Sequence, residues 1–253
     1  MTRIIMHGCN GRMGQMIVEI CAEDTETEIV AGVDTAKVHP YPFPVVTNIR
    51  DCEVQADVVI DFSTAGAVDQ VLDYCMERKL PLVLCTTGLS EEQLAKTDAA
   101  SRTVAVLKSA NMSLGINTLF ELLQKAAAAL APAGFDIEIV EKHHNQKLDA
   151  PSGTALALAD VINDAMDGAY EYKYDRSKER RKRGSHEIGI SAVRGGTIVG
   201  EHEIIFAGKD EVIEIRHTAY SRAVFGKGAV EAAKFLKGKE PGYYDMQNVV
   251  SSR

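Results

Sequence analysis

The chain has 253 residues, 45% of them hydrophobic and 25% charged, which is enough for one large or two modest domains with proper cores. A formal charge of −8 argues against nucleic acid or an anionic membrane as a partner, so an anionic ligand has to be drawn by a local positive cluster. The five cysteines (Cys9, Cys21, Cys52, Cys75 and Cys85) are odd in number and lack metal-ligand spacing, which reads as free thiols in a reducing compartment and no metal. No apolar run is long enough to span a bilayer, and the first residues lead straight into a glycine-rich loop rather than a signal peptide, so a cytoplasmic protein is expected.

The chain opens with a short apolar strand, Arg3-Ile-Ile-Met-His7, then Gly8-Cys-Asn10-Gly11-Arg12-Met13-Gly14, then helical spacing over Gln15-Met-Ile-Val-Glu-Ile-Cys21. That order has the logic of a dinucleotide fold: glycines admit a pyrophosphate close to the backbone, and the helix N-terminus opposes its charge. The spacing departs from the commoner G-x-G-x-x-G, with Asn10, a residue that tolerates left-handed backbone, in the middle position. A second strand, Glu28-Ile-Val-Ala-Gly-Val33, runs into Asp34, about 20 residues past the last glycine, where an acid meets the ribose hydroxyls. The plainer role for Asp34 is a strand-end cap. A carboxylate there favours NAD over NADP, but Arg12 and Lys37 are cations near enough in sequence to offset a 2′-phosphate, so both coenzymes stay open.

Three further apolar runs each end in small or hydroxyl residues: Asp57-Val-Val-Ile-Asp61-Phe62-Ser63-Thr64, Pro81-Leu-Val-Leu-Cys85-Thr86-Thr87-Gly88, and Thr103-Val-Ala-Val-Leu107 leading to Ala110-Asn111-Met112-Ser113. In an open parallel sheet these endings line one crevice beyond the carboxyl ends of the strands. A catalytic thiol at Cys85 is discounted because no histidine accompanies it. A helix is expected over 117–130. Phe135-Asp-Ile-Glu-Ile-Val140 then alternates as a strand with one buried face, followed by Glu141-Lys-His143-His144-Asn-Gln-Lys147-Leu-Asp149-Ala-Pro151-Ser152-Gly153-Thr154 and an apolar helix to Ile162. Two imidazoles and an ammonium group therefore precede a helix N-terminus whose Ser152, Gly153 and Thr154 offer hydroxyls and N–H groups to an anion, which suits a small acidic substrate. The basic run Lys178-Glu-Arg-Arg-Lys-Arg183 reads as a solvated loop rather than a nucleic-acid patch. Strands over 188–193, 197–206 and 212–217 read as a meander with short turns.

The glycine loop, Asp61-Phe-Ser-Thr64, Cys85-Thr-Thr-Gly88, Ala110-Asn-Met-Ser113, the Glu141 to Thr154 string and Val193-Arg-Gly-Gly-Thr-Ile-Val-Gly-Glu-His202 together resemble the 4-hydroxy-tetrahydrodipicolinate (dihydrodipicolinate) reductases of bacterial and plant lysine biosynthesis. The resemblance runs almost end to end. It implies a Rossmann-like α/β dinucleotide domain (1–113 plus 220–253) and an α+β domain (114–219) with a mostly antiparallel mixed sheet that binds substrate and builds a homotetramer. It implies reduction of 4-hydroxy-tetrahydrodipicolinate, with loss of water, by NADH or NADPH. It makes His143 the proton donor or relay and Lys147 its partner. His144, Lys147, Ser152, Gly153, Thr154 and Arg222 would hold the dicarboxylate. Gly8, Asn10, Gly11, Arg12, Met13, Gly14, Asp34, Lys37, Phe62, Thr86, Thr87, Gly88, Ala110, Asn111 and Met112 would hold the coenzyme. Two departures bear on details: Asn145-Gln146 stand where relatives carry a further basic residue, and no arginine directly follows Asp34. The rivals are another dinucleotide-dependent reductase of an amino-acid pathway, or a nucleotide sensor without catalysis.

Overall fold

A computed structural model describes residues 1–36 and 40–252, so Lys37 lies outside the described residues. In chain order the elements are β1 (Thr2–His7), α1 (Arg12–Glu23), β2 (Thr27–Val33), β3 (Val45–Val46), β4 (Val58–Asp61), α2 (Ala65–Arg78), β5 (Leu82–Leu84), α3 (Glu91–Ser101), β6 (Ala105–Leu107) and α4 (Leu114–Leu130). They continue with β7 (Asp136–His143), α5 (Gly153–Asp164), β8 (Glu171–Lys173), β9 (Glu187–Arg194), β10 (Gly200–Ala207), β11 (Val212–Ala219), α6 (Ala223–Leu236), β12 (Gly242–Tyr244) and α7 (Met246–Ser251). The chain divides into two compact units, one of Met1–Leu114 with Ala223–Arg253 and one of Gly115–Arg222.

The first unit is a seven-stranded sheet in the order β12-β6-β5-β4-β1-β2-β3, parallel throughout. Its central strands are buried on both faces, as their unbroken Val/Ile/Leu runs require. One face packs Ile4, Met6, Ile60 and Leu107 against Ile17 of α1 and Val230 of α6; the other packs Ile5, Val59 and Leu82 against Val71 and Leu72 of α2. Each such fully buried aliphatic side chain contributes roughly 1.5–3 kcal/mol. Helix starts follow local chemistry: Ser90 and Gln93 form a capping box on α3, and Asp245 and Asn248 form another on α7.

The second unit is a five-stranded mixed sheet in the order β11-β10-β7-β9-β8. Ile137, Ile139, Ile188, Ile190, Ile204 and Phe206 pack one face against α4 and α5. The expected meander is not what forms. β10 and β11 make an antiparallel hairpin, but β7 separates β9 from β10, running parallel to the first and antiparallel to the second. The reason lies in the connection between β9 and β10. Gly195 donates its N–H to the His143 carbonyl (2.9 Å), and the Gly196 carbonyl accepts from Asn145 N–H (3.2 Å). The loop is thereby stitched over the end of β7 instead of folding back as a tight hairpin.

The basic run is solvent-exposed from Lys178 to Lys182, as a solvated loop should be, and it also makes ion pairs. Arg183 reaches Asp136 (2.8 Å) and Glu138 (3.0 Å), and Arg181 reaches Glu187 (2.9 Å), with Arg176 pairing to Glu187 and Glu138. Carboxylates gathered on one sheet face need counter-charges, and the run supplies them.

Candidate active site

The parallel pairing of β2, β1, β4, β5 and β6 places their carboxyl ends along one edge. That edge collects the Gly8–Gly14 loop, Asp34, Phe62, the Thr86-Thr87-Gly88 turn and, after β6, Ala110-Asn111-Met112. β1 lies between β2 and β4, where the strand order reverses and a doubly wound sheet opens its crevice.

The glycines in the first loop answer to sterics. Gly8 has φ +83°, and a Cβ on it would lie 2.5 Å from the Phe62 carbonyl oxygen. A Cβ on Gly14 would lie 2.1 Å from the Gly8 carbonyl oxygen. The left-handed position is therefore Gly8; Asn10 is not among the described non-glycine residues with positive φ, which are Lys79 and Asp167. Gly11 is the N-cap of α1 and brings no side-chain cap, so the first-turn N–H groups stay available to an anion, with Arg12 and Met13 opening the helix. Asp34 accepts Asn10 N–H at 2.9 Å through Oδ2 and Ala36 N–H at 3.1 Å through Oδ1, while the Asn10 amide donates to the Ala36 carbonyl. Strand-end cap and tie to the glycine loop coexist in one carboxylate. The cradle that a Cβ would fill, together with the uncapped helix end, fits a dinucleotide pyrophosphate.

Beneath this edge lies a network the sequence reading passed over. Asp61, fully buried, accepts hydrogen bonds from Ser63 Oγ (2.6 Å) and Thr86 Oγ1 (2.5 Å) and sits 2.6 Å from His7 Nδ1. Thr86 Oγ1 also accepts Ser63 N–H at 3.0 Å. Thr86 is thus turned inward, and Thr87 and Gly88 are the exposed members of that turn. Burial, reinforced by the Asp61 charge, raises the Cys85 thiol well above its usual range, which leaves no thiolate for nucleophilic chemistry near neutral pH.

The second cluster lies wholly within the other unit. β7 runs three residues further than expected and carries Glu141 and His143 inward, on the same face as Ile137 and Ile139. Glu141, with no exposed surface, accepts from four donors: Arg194 Nη2 (2.7 Å) and Ser152 N–H (2.9 Å) at Oε1, Arg194 Nη1 (2.8 Å) and His143 Nδ1 (2.6 Å) at Oε2. Burial pulls the Glu141 carboxyl upward, but Arg194, His143 and the Ser152 N–H outweigh it, and its pKa falls below the usual value. Burial lowers the His143 pKa; Glu141 pulls it back up, Lys147 and Arg194 push it down, and the net is downward.

Ser152 caps α5 by accepting Ala155 N–H (3.2 Å), and its Oγ meets His202 Nε2 (3.2 Å), so both its polar groups are engaged. His202 stacks edge-on against His143 at 5.2 Å, and burial pushes its pKa down to about 3. Lys147 Nζ pairs with Asp149 Oδ1 at 2.8 Å in the loop before α5, and the ammonium first, with a smaller contribution from the Gly153 N–H, holds the Asp149 carboxyl below its usual pKa. A carboxylate of the chain itself thus occupies the ammonium in the loop that leads into α5. His144 and Thr154 are half-buried beside this loop, whereas Arg222 is exposed after β11 and makes no hydrogen bond or ion pair with the described residues of the cluster. Glu141, Arg194 and His202 are functional positions that their sequence motifs alone do not mark. The signal for Glu141 was present: an acid at inward parity among buried isoleucines.

Two family models cover nearly the whole chain, dihydrodipicolinate reductase N-terminus over residues 2–112 and dihydrodipicolinate reductase C-terminus over residues 115–250. The chain belongs to the dihydrodipicolinate reductase family. Among relatives of this family, the 4-hydroxy-tetrahydrodipicolinate reductase of Caldanaerobacter subterraneus subsp. tengcongensis is 53% identical over 250 residues, covering 99% of this chain and 98% of that one. The enzyme of the same name from Clostridium tetani is 50% identical over 252 residues, covering 100% and 98%. Among solved structures, the dipicolinate-bound dihydrodipicolinate reductase from Paenisporosarcina sp. TG-14 matches with a TM-score of 0.82 at 25% identity, over 98% of this chain and 99% of that one. Diaminopimelate dehydrogenase from C. glutamicum, at 12% identity, 100% and 96% coverage and a TM-score of 0.55, shares the fold. No helix among the described residues is long and apolar enough to cross a membrane.

Proposed function

We propose that this protein reduces 4-hydroxy-tetrahydrodipicolinate to tetrahydrodipicolinate with NADH or NADPH and loss of water, in diaminopimelate and lysine biosynthesis. The observation that carries the reading is the ion pair of Lys147 and Asp149 at the N-terminus of α5, beside His143. The Lys147 ammonium already holds one carboxylate there, and a substrate carboxylate has the same charge and shape. The structural relative with dipicolinate bound supports a dicarboxylate ligand.

Gly8, Gly11, Arg12, Met13 and Gly14 would hold the pyrophosphate, Asp34 the adenosine ribose, and Phe62, Thr87, Gly88 and Ala110 to Met112 the nicotinamide end. The coenzyme, when bound, supplies hydride to ring carbon 4. What remains for the protein is to bind the dicarboxylate, let hydroxide leave carbon 4 as water while the adjacent ring carbon gives up a proton, and, once hydride has added at carbon 4, return a proton to that adjacent carbanion-like carbon. His144, Lys147 and the first turn of α5 at Gly153 and Thr154 take the carboxylates by charge and N–H donation. Ser152 shapes that turn from beneath, since its own N–H and hydroxyl are already engaged. His143 and Lys147 supply the proton, and displacing Asp149 from Lys147 by substrate frees the ammonium for that work. Arg222 is assigned to substrate on resemblance alone.

On the face of the second sheet turned away from α4 and α5, Val193 (44% exposed) and Val212 (56% exposed) stand open to solvent, which supports a homotetramer built through this face. A cytoplasmic location agrees with a coenzyme-dependent biosynthetic step. The test is loss of nicotinamide absorbance with NADH and NADPH separately, with substrate made in situ from pyruvate and aspartate semialdehyde by a synthase. Substrate-dependent oxidation is expected; none, with coenzyme bound and the synthase active, would sink the proposal.

A further inference from the structure

Glu141 is a fully buried carboxylate at a position whose neighbours on the same strand face are Ile137 and Ile139. Removing such a group from water is costly, and an apolar residue of similar size is often at least as stabilising as a buried ion pair. Stability alone therefore does not account for it. Its three partner residues do. The guanidinium of Arg194, which faces His143 in the β7–β9 register, grips both oxygens as a fork and also donates to the Asp149 carbonyl at 2.6 Å. The carboxylate so held accepts from His143 Nδ1 and from Ser152 N–H, the N-cap of α5. The Glu141–Arg194 pair thus ties the imidazole, the start of α5 and the Lys147–Asp149 loop into a single frame.

Resting on the reductase reading, we infer that Glu141, clamped by Arg194, is the positioning residue that orients His143 and stabilises its imidazolium when it serves as the acid of the reaction. Accepting from Nδ1 fixes the tautomer and leaves Nε2 as the reactive nitrogen. Space at Nε2 is kept by Gly200, where a Cβ would approach it to 3.2 Å. The groups facing His143 are Glu141 on its own strand, Arg194 on β9, His202 on β10 with His217 beyond it on β11, and Lys147 in the following loop. Of these, Glu141 alone is negative. Without it the imidazolium stands among cations and neutral imidazoles and gives up its proton at lower pH.

Wild-type turnover is measured first, because its absence would refute the reductase reading and say nothing of Glu141. The variants are then Glu141→Gln, Glu141→Asp and the pair Glu141→Gln/Arg194→Gln, each followed by thermal midpoint, coenzyme Kd and kcat against pH. Glu141→Gln is expected to lower kcat by about a hundredfold and to leave coenzyme Kd within about twofold. Its basic limb should move about one pH unit toward acid, the effect of one lost opposite charge in contact. Glu141→Asp keeps the charge and should keep the limb near its wild-type position. The double variant removes the stranded Arg194 charge and should recover thermal stability without recovering kcat or the limb. If Glu141→Gln fails to fold, the double variant and Glu141→Asp decide the matter. Recovery of kcat together with stability in the double variant, or a limb in Glu141→Asp displaced as far as in the double variant, would overturn the inference.

Discussion

His202 makes the stability of the second unit acid-sensitive in a calculable way. The side chain is 4% exposed; burial first, then the neighbouring His143, holds its pKa near 3 against an ordinary 6.5. The sign follows directly. The unfolded chain takes up a proton at this residue as pH falls through 6.5, and the folded chain does not until about 3, so the stabilisation is complete above 6.5 and is lost between 6.5 and 3. At pH 5 the loss is set by the unfolded value alone, since the folded group is still neutral, and 1.5 pH units give about 2 kcal/mol. His143 and His217, also lowered by burial, tilt stability the same way. The term belonging to His202 is therefore isolated by comparing wild type with His202→Gln, which can still accept from the Ser152 hydroxyl. Urea unfolding at pH 8, 6 and 5 and one protein concentration reads it. Between pH 8 and 5 the wild type should lose about 2 kcal/mol more than the variant. Equal losses, whatever the absolute stabilities, would refute the reasoning.

Three further outcomes follow from the site. Lys147→Ala should cut turnover by about a hundredfold while leaving coenzyme Kd unchanged, because the ammonium and the glycine loop lie in different units; normal turnover would remove Lys147 from the acid chemistry. Gly14→Ala drives a Cβ into the Gly8 carbonyl, a backbone atom that cannot step aside, so coenzyme binding measured by fluorescence titration should be lost, and retention of wild-type Kd would contradict the cradle. Asp34→Asn keeps an acceptor for Asn10 N–H but drops the charge. The ratio of kcat/KM for NADPH over NADH should rise about fivefold, the worth of roughly 1 kcal/mol for one unit repulsion near solvent, and an unchanged ratio would place the 2′-position away from Asp34.

The parallel sheet and its cofactor edge were legible because they rest on local rules. Continuous apolar runs such as Val58-Val-Ile mark strands buried on both faces, and glycines mark where a Cβ meets backbone, as at Gly8 and Gly14. The strand order of the second sheet was not legible on those terms. Residues 188–193 and 197–206 carry the pattern of a hairpin joined by a Gly-Gly turn. Whether β7 inserts between them depends on bonds from Gly195 and Gly196 to His143 and Asn145, some fifty residues away. Periodicity sets which residues face inward; it does not set which strand lies alongside.

The same distinction separates the parts of the candidate site. His143, Lys147 and the α5 cap lie within a dozen residues, and their chemistry is visible in one string. Glu141 sits two residues from His143, but its meaning comes from Arg194, which the register of β7 and β9 delivers from across the sheet. Asp61 is similar: a single acid ending a buried run looks like the start of a polar turn until Thr86 and His7 arrive from neighbouring parallel strands to surround it. Both acids stand at positions where the pattern demands an apolar side chain. A charge held at full burial persists only with partners enough to match its lost hydration. An inward-facing acid in a strand is therefore a prediction that unseen cations or donors converge on it, even where the sequence does not say which ones.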